Sequence, residues 1–392
     1  MNGTDTLRPQ MDRVQTLSLV VGLAVTALVS VGAAINPDPS RFMRSYLLAF
    51  LFWVGLALGC TALLMLHHLV GGGWGLIIRR LLESGTRTLP LMALLVVPLL
   101  FGLPRLYTWA RPEAVAGSHL LQHKALYLNV PFFIGRTVFY FAVWLLFAYF
   151  LNRWSLEQDR TGEPDVLRRL RALSAPGILV YGLTVTFASI DWVMSLEPEW
   201  FSTAFGALFI VGQVLSTLAF SIAATMLLAD REPLSGVITK QRLNDLGNLM
   251  LAFVMLWAYI SFSQFLIIWS GNLPEEITWY QHRLKGGWAI IAIFLLLFHF
   301  ALPFLILLSR NIKRRARTLG IVAIAMFLIR LLDLFWTVAP VEGKVGVSFS
   351  WTDVAAPVGM GGIWLAVFVW QLKSRPLVPL NDPQLKAGVA HG

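Results

Sequence analysis

Ten apolar stretches, each of roughly twenty residues, run through this chain between Val14 and Leu372. A helix of that length crosses about 30 Å of hydrocarbon. Inside a bilayer every backbone N–H and C=O must be satisfied within the segment itself or within a closed barrel. The pattern therefore predicts an all-α, polytopic membrane protein of about ten transmembrane helices. The predicted spans are Val14–Ile35, Ser45–Val70, Leu89–Tyr107, Val130–Asn152 and Ala175–Leu196, then Phe201–Ala229, Gly247–Ser270, Gly287–Ser309, Leu319–Ala339 and Ala356–Leu372. The third is interrupted by Pro90, Pro98 and Pro104, and a kink is expected at Pro98.

Composition agrees: 57% of the residues are hydrophobic and 13% charged, against about a quarter charged in soluble domains. The net charge of +10 would raise nucleic acid in a soluble protein. Here the cations sit in loops between apolar stretches, where orientation and anionic lipid account for them. A single cysteine, Cys60, excludes an intramolecular disulfide. It also excludes a CxxCH haem attachment or a cysteine-held iron–sulfur cluster built from this chain alone. No Walker loop, GxGxxG or HExxH appears, so nothing points to nucleotide binding or hydrolysis. The polar start, MNGTDTLRPQMDRVQ, is followed by an apolar stretch without a small-residue cleavage site, so that stretch is expected to be a retained helix. The whole chain, 1–392, reads as one integral membrane domain.

Orientation follows from Lys and Arg. One side of the predicted topology holds 21 and the other 8, counting Arg105 at the end of the third stretch with the loop that follows it, and Arg136 and Arg330 inside helices complete the 31. The richer side is expected to be cytoplasmic, with both termini inside. Two cytoplasmic pieces, Glu163–Leu173 (EPDVLRRLRAL) and Gly75–Gly85 (GLIIRRLLESG), are amphipathic. Each reads as a helix lying in the headgroup layer or as a docking surface for another subunit.

An ionisable group within a span costs about 2.5–3.5 kcal/mol at the helix centre on insertion scales. Each such group is therefore a candidate for function. Asp191, near the outer end of the fifth helix, reads as a proton-relay carboxylate or as an interfacial cap. Glu197 beyond it would be an exit to water. Arg136 on the fourth helix is a counter-ion for Asp191 or a snorkelling cation. Arg330 and Asp333, three residues apart, share a face and form either a structural pair or part of a proton or ligand path. His299 is a packed histidine or, with a partner at its depth, a haem ligand; His67 and His68 lie at another depth. Tyr259, Ser261, Ser263 and Gln264 on the seventh helix offer packing hydrogen bonds or contacts to a quinone carbonyl. Glu275 and Glu276 follow Pro274 and read as a solvated helix start or as proton collectors. Asp191-Trp192 and Asp333-Leu334-Phe335, each followed by a proline, form a weak echo that suggests a pseudo-repeat over 45–196 and 201–339.

Two segments go further. SIDWVMSLEPEWFSTAFGALFIVGQ (Ser189–Gln213) and LGNLMLAFVMLWAYISFSQFLIIWSGNLPEEITWYQHR (Leu246–Arg283) resemble the F-type membrane subunit of bacterial alternative complex III, also called quinone-binding subunit 2. That subunit is related to the NrfD-like membrane subunits of polysulfide-reductase type. The resemblance implies two four-helix bundles plus two peripheral helices in the bacterial inner membrane. It implies a subunit of a respiratory quinol:electron-acceptor oxidoreductase that borders a quinol site (menaquinol or ubiquinol), offers a proton path, or both. Haem c and iron–sulfur centres would reside in partners: a multihaem cytochrome c and an iron–sulfur, molybdopterin-like protein, beside an NrfD-like paralogue and lipid. Asp191, Glu197, Tyr259, Ser263, Gln264, Glu275 and Glu276 fall in the matching segments. Arg136, Arg330, Asp333 and His299 lie outside them, and only their physics recommends them. A ligand-free scaffold and a secondary transporter are the alternative readings.

Overall fold

The computed structural model describes residues 4–35, 38–232, 234–340, 346–379 and 381. Ten helices in it are long and apolar enough to cross a membrane: α1 (Leu7–Ile35), α2 (Pro39–Val70), α3 (Gly73–Phe101), α4 (Val130–Thr161), α5 (Pro164–Leu196), α6 (Phe205–Leu228), α7 (Lys240–Gly271), α8 (Trp288–Leu308), α9 (Ala316–Val338) and α10 (Thr352–Lys373). No strand occurs among the described residues. The chain is an all-α, multi-pass membrane protein. The end carrying the α5–α6 connection is called outer below, and the opposite end inner.

Helix α2 is the axis, with 89% of its most apolar window buried, whereas α1 is 11% buried and lies at the rim. Helices α3, α4 and α5 pack around α2, and α7, α8 and α9 gather with α6, so the chain forms two sequential groups of four. Helices α2 and α6 meet where the groups join. A Cβ on Gly59 would fall 2.6 Å from the Gln213 carbonyl oxygen, so only a small residue admits that approach. Helix α10 lies between α1 and α2. A Cβ on Gly22 would stand 2.5 Å from the Ile363 nitrogen, so the α1 and α10 backbones are in direct contact there. Trp53 of α2 ties α10 in turn by donating to the Pro357 carbonyl at 2.8 Å.

Two sequence expectations change. Helix α3 begins at Gly73, not Leu89, so Gly75–Gly85 lies inside the protein. Arg79, Arg80 and Glu83 are 1–2% exposed, which removes this segment from the headgroup layer. It is buried because it meets its own counter-charges. Arg79 donates to Glu83 at 2.9 Å and to Gln158 at 2.7 Å, Arg80 pairs with Glu83 and with Asp159 of α4, and Ser155 donates to Glu83 at 2.5 Å. Arg375, beyond α10, adds a third guanidinium, 3.4 Å from Glu83. Further along, α3 breaks at Thr88, Val96 and Gly102, and each new segment starts with a proline in its first turn. A proline lacks the N–H that a preceding helical carbonyl needs, but it suits a first turn. The expected kink at Pro98 is one of these breaks. The other change concerns Glu163–Leu173: it is the start of α5 itself, with Val166 and Leu170 buried and the Arg168 side chain 82% exposed.

Candidate functional site

The interiors of the two groups differ. In the first, aromatic rings fill the space. Trp192 packs against Tyr140, Phe141 and Trp144 with centroids 5.9–6.5 Å apart, and Phe50 closes it from α2 at 5.4 Å. Asp191 sits above this plug, fully buried, and both its oxygens are engaged. Arg136 approaches in a fork, Nε to Oδ2 at 2.8 Å and NH2 to Oδ1 at 2.9 Å, while Tyr140 donates to Oδ2 at 2.8 Å. The guanidinium is held from its other side by the Tyr127 carbonyl at 3.0 Å and lies 3.8 Å above the Tyr127 ring. Bidentate geometry of this kind gives strength and orientation together. Arg136 is thus the counter-ion of Asp191, as one of its two readings had it, and the pair joins α4 to α5.

The second group keeps its interior open. A cavity of about 810 Å³ runs between α6, α7, α8 and α9, within the 300–1,000 Å³ range of ligand pockets. Its walls are mostly aromatic and aliphatic, including Phe209, Trp257, Phe265, Phe300 and Leu334. Tyr259 (68% exposed) and Leu296 (58% exposed) stand at its rim, so it opens sideways between α7 and α8 into the lipid layer.

Its polar groups converge. Arg330 and Asp333 line it as a contacting ion pair, with side chains 5% and 7% exposed. Gln264 lines the opposite wall from α7 and accepts a hydrogen bond from Ser202 at 3.3 Å. At about 1.5 Å per residue, Gln264, Arg330 and Asp333 lie roughly 8–12 Å from the outer ends of their helices, so they share one depth. Room for the Arg330 guanidinium comes from Gly212 of α6, where a Cβ would fall 2.3 Å from Cζ. Behind Trp257, at 4.2 Å between ring centroids, lies His299. It is fully buried, and neither ring nitrogen meets a hydrogen-bond partner among the described residues. Around it the helix widens to a π-turn over Leu296–Ala301, just before Pro303. Such turns recur at functional sites. The hydroxyl of Ser261 and the indole N–H of Trp257 are likewise buried without partners.

The sequence candidates therefore separate. Arg330, Asp333, Gln264 and Tyr259 share one cavity, with His299 behind its wall. Asp191 and Arg136 form their own closed pair in the other bundle. Glu197 sits at the outer end, paired with Arg283 at 2.7 Å. Glu275 and Glu276 occupy the first turn of the outer helix Pro274–Leu284, Glu275 exposed and Glu276 half-buried. Ser263 is half-buried and is not among the cavity's lining residues. His67 and His68 lie at the inner end of α2, where a Cβ on Gly75 would meet the His67 ring, so they do not face His299. Sequence reasoning missed three groups. Gly212 carried no local signal. Arg283 read as an ordinary loop cation. The Arg79–Arg80–Glu83 spacing, i to i+3 and i+4, was a legible signal for an internal pair.

No known protein-family model matches the chain, and no curated protein matches it. Fold and cavity together define an α-helical, multi-pass membrane protein with an amphipathic chamber open to lipid.

Proposed function

We propose that the chain is a membrane subunit of a respiratory quinol:electron-acceptor oxidoreductase of the alternative complex III type. In this reading a lipid-soluble quinol enters between α7 and α8. The observation that carries the reading is the cavity's division into a long apolar wall and one polar end that holds a guanidinium, a carboxylate and a carboxamide. A quinol makes the same division: an isoprenoid tail needs apolar surface, and two ring oxygens need hydrogen-bond partners. Arg330 and Gln264 would donate to ring oxygens, and Asp333 would accept from a hydroxyl. Quinol oxidation releases two electrons and two protons. A carboxylate beside the ring can take a proton in turn. The electrons would leave to iron–sulfur and haem c centres of partners, an iron–sulfur, molybdopterin-like protein and a multihaem cytochrome c, with an NrfD-like paralogue alongside. Asp191 and Arg136, closed on each other, would hold the outer end of the first bundle. This reading sets the chain in the bacterial inner membrane with both termini cytoplasmic, and the excess of Lys and Arg on one side supports that orientation.

The test is quinone content and photo-crosslinking. The purified complex, incubated with an azido-quinone, is expected to be labelled on α7 or α8. Arg330→Gln and Gln264→Leu together should abolish that label without dissociating the partner subunits. Labelling confined to other subunits, or unchanged in the double variant, would favour the ligand-free scaffold.

A further inference from the structure

Above the cavity lies the outer helix Pro274–Leu284, and its Trp279, Tyr280 and Leu284 form part of the cavity lining. Both of its connections pass through left-handed backbone. Asn272, before it, has φ 46°, and Gly286 and Gly287, after it, have φ 58° and 95°. Asn and Gly are the residues that adopt such angles most readily, so the helix hangs between two turning points. It is held down by the packing of Trp279 on Trp336 of α9 and of Tyr280 on Phe265 of α7, at 5.3 and 5.2 Å between centroids, and by one buried polar contact set. Arg283, 2% exposed, donates to Glu197 at 2.7 Å, to the Trp279 carbonyl at 3.1 Å and to the Thr337 carbonyl of α9 at 2.7 Å. His282 lies 3.2 Å from the other Glu197 oxygen, and Trp200 stacks on Trp279 at 5.0 Å. Glu197 and Trp200 belong to the α5–α6 connection, at the outer end of the first bundle. Burial lowers the Arg283 pKa, and Glu197 opposes that shift.

We propose that Pro274–Leu284 is a lid over the cavity, latched shut by Glu197 on Arg283. The latch is asymmetric. Arg283 has no other carboxylate partner among the described residues, so losing Glu197 leaves a buried cation that keeps two carbonyls and the face of the Trp279 ring but no counter-charge. Opening at the two turning points would return it to water. The lid depends on the chamber and not on what fills it, so it stands apart from the quinol reading. It gives the chamber a second, water-side entrance that is controlled from the neighbouring bundle.

The experiment uses the full chain in nanodiscs, with the native thiol removed by Cys60→Ser and a reporter thiol introduced at the chamber wall by Ser261→Cys. The probe is a small, charged, membrane-impermeant methanethiosulfonate. Glu197→Gln is expected to speed its reaction about ten- to hundred-fold, the range set by losing one charge-assisted hydrogen bond. Glu197→Asp, which keeps the charge on a shorter arm, should give an intermediate rate and serves if the Gln variant does not fold. Equal rates for the parent and whichever of these variants folds would overturn the lid. A short-chain quinone added in a second arm separates the two proposals. Faster reaction in the variant without quinone protection keeps the lid and removes the quinol. Protection without acceleration does the reverse.

Discussion

At the scale of single residues, the two bundles use a buried carboxylate in different ways. Both oxygens of Asp191 accept hydrogen bonds, Oδ1 from Arg136 and Oδ2 from Arg136 and Tyr140, and Arg136 has a side chain 10% exposed. Asp191→Asn should therefore leave a nearly buried guanidinium without its charge partner. The expected loss is about 3 kcal/mol, read as a fall in the thermal unfolding midpoint followed by tryptophan fluorescence. Tyr140→Phe removes one hydrogen bond, and its expected cost is about 1 kcal/mol. Equal midpoints for parent and Asp191→Asn would mean that the pair is dispensable to the fold. In the second bundle the comparable residue is Gly212. A methyl group there would stand inside the Arg330 guanidinium, so Gly212→Ala should push Arg330 out of place. Quinone retained by the purified complex should then fall about ten-fold, the effect of some 1.4 kcal/mol in binding. Retention at the parental level would detach Arg330 from ligand binding.

Among the helices, α3 is the one whose placement sequence alone could not supply. Arg79, Arg80 and Glu83 lower the hydropathy of any window that contains them, so the apolar stretch read from the sequence begins after them. They are nonetheless buried, because Ser155, Gln158 and Asp159 of α4 arrive alongside and complete the hydrogen bonds and the charge balance. Removing one partner from such a cluster is costly while removing a surplus one is not. Glu83→Gln leaves Arg79, Arg80 and Arg375 facing Asp159 alone, and it should destabilise by about 3–5 kcal/mol. Arg375→Ala leaves two arginines against two carboxylates and should cost much less, about 1 kcal/mol. Thermal unfolding of both variants in one detergent decides the matter, and a larger loss for Arg375→Ala would reverse this account. The rim pair α1 and α10 follows a simpler rule: close backbone contact at Gly22 rather than polar chemistry.

For the molecule as a whole, the contrast is between a filled and an open four-helix group. Both groups are built from apolar spans, and both carry an aspartate near the outer end of their last helix. In the first, Trp144 and Trp192 occupy the interior. In the second, the small residue at Gly212 makes room for the Arg330 guanidinium, and the cavity stays open beside Arg330 and Asp333. The proposed orientation predicts that a fluorescent protein fused to the C-terminus will be bright in living bacteria, as cytoplasmic fusions are. It predicts that an alkaline phosphatase inserted after Glu276 will be active. The opposite pair of results would invert the topology and place the lid on the cytoplasmic side.

The existence of ten spans, the all-α class and the candidate ionisable groups were all legible in the chain itself. Lipid is a uniform solvent that selects segments by length and hydropathy, properties carried by contiguous residues. Even the Asp191–Arg136 pairing was within reach, since adjacent antiparallel helices bring those depths together. Which bundle is hollow, whether a buried charge is neutralised, and what roofs the cavity depend instead on residues far apart in the chain. Gly212 meets Arg330, Glu83 meets Ser155 and Glu197 meets Arg283 only when helices from separate parts of the sequence lie side by side. Those contacts are set by shape and by pairwise charge, so they were decided by the tertiary structure alone.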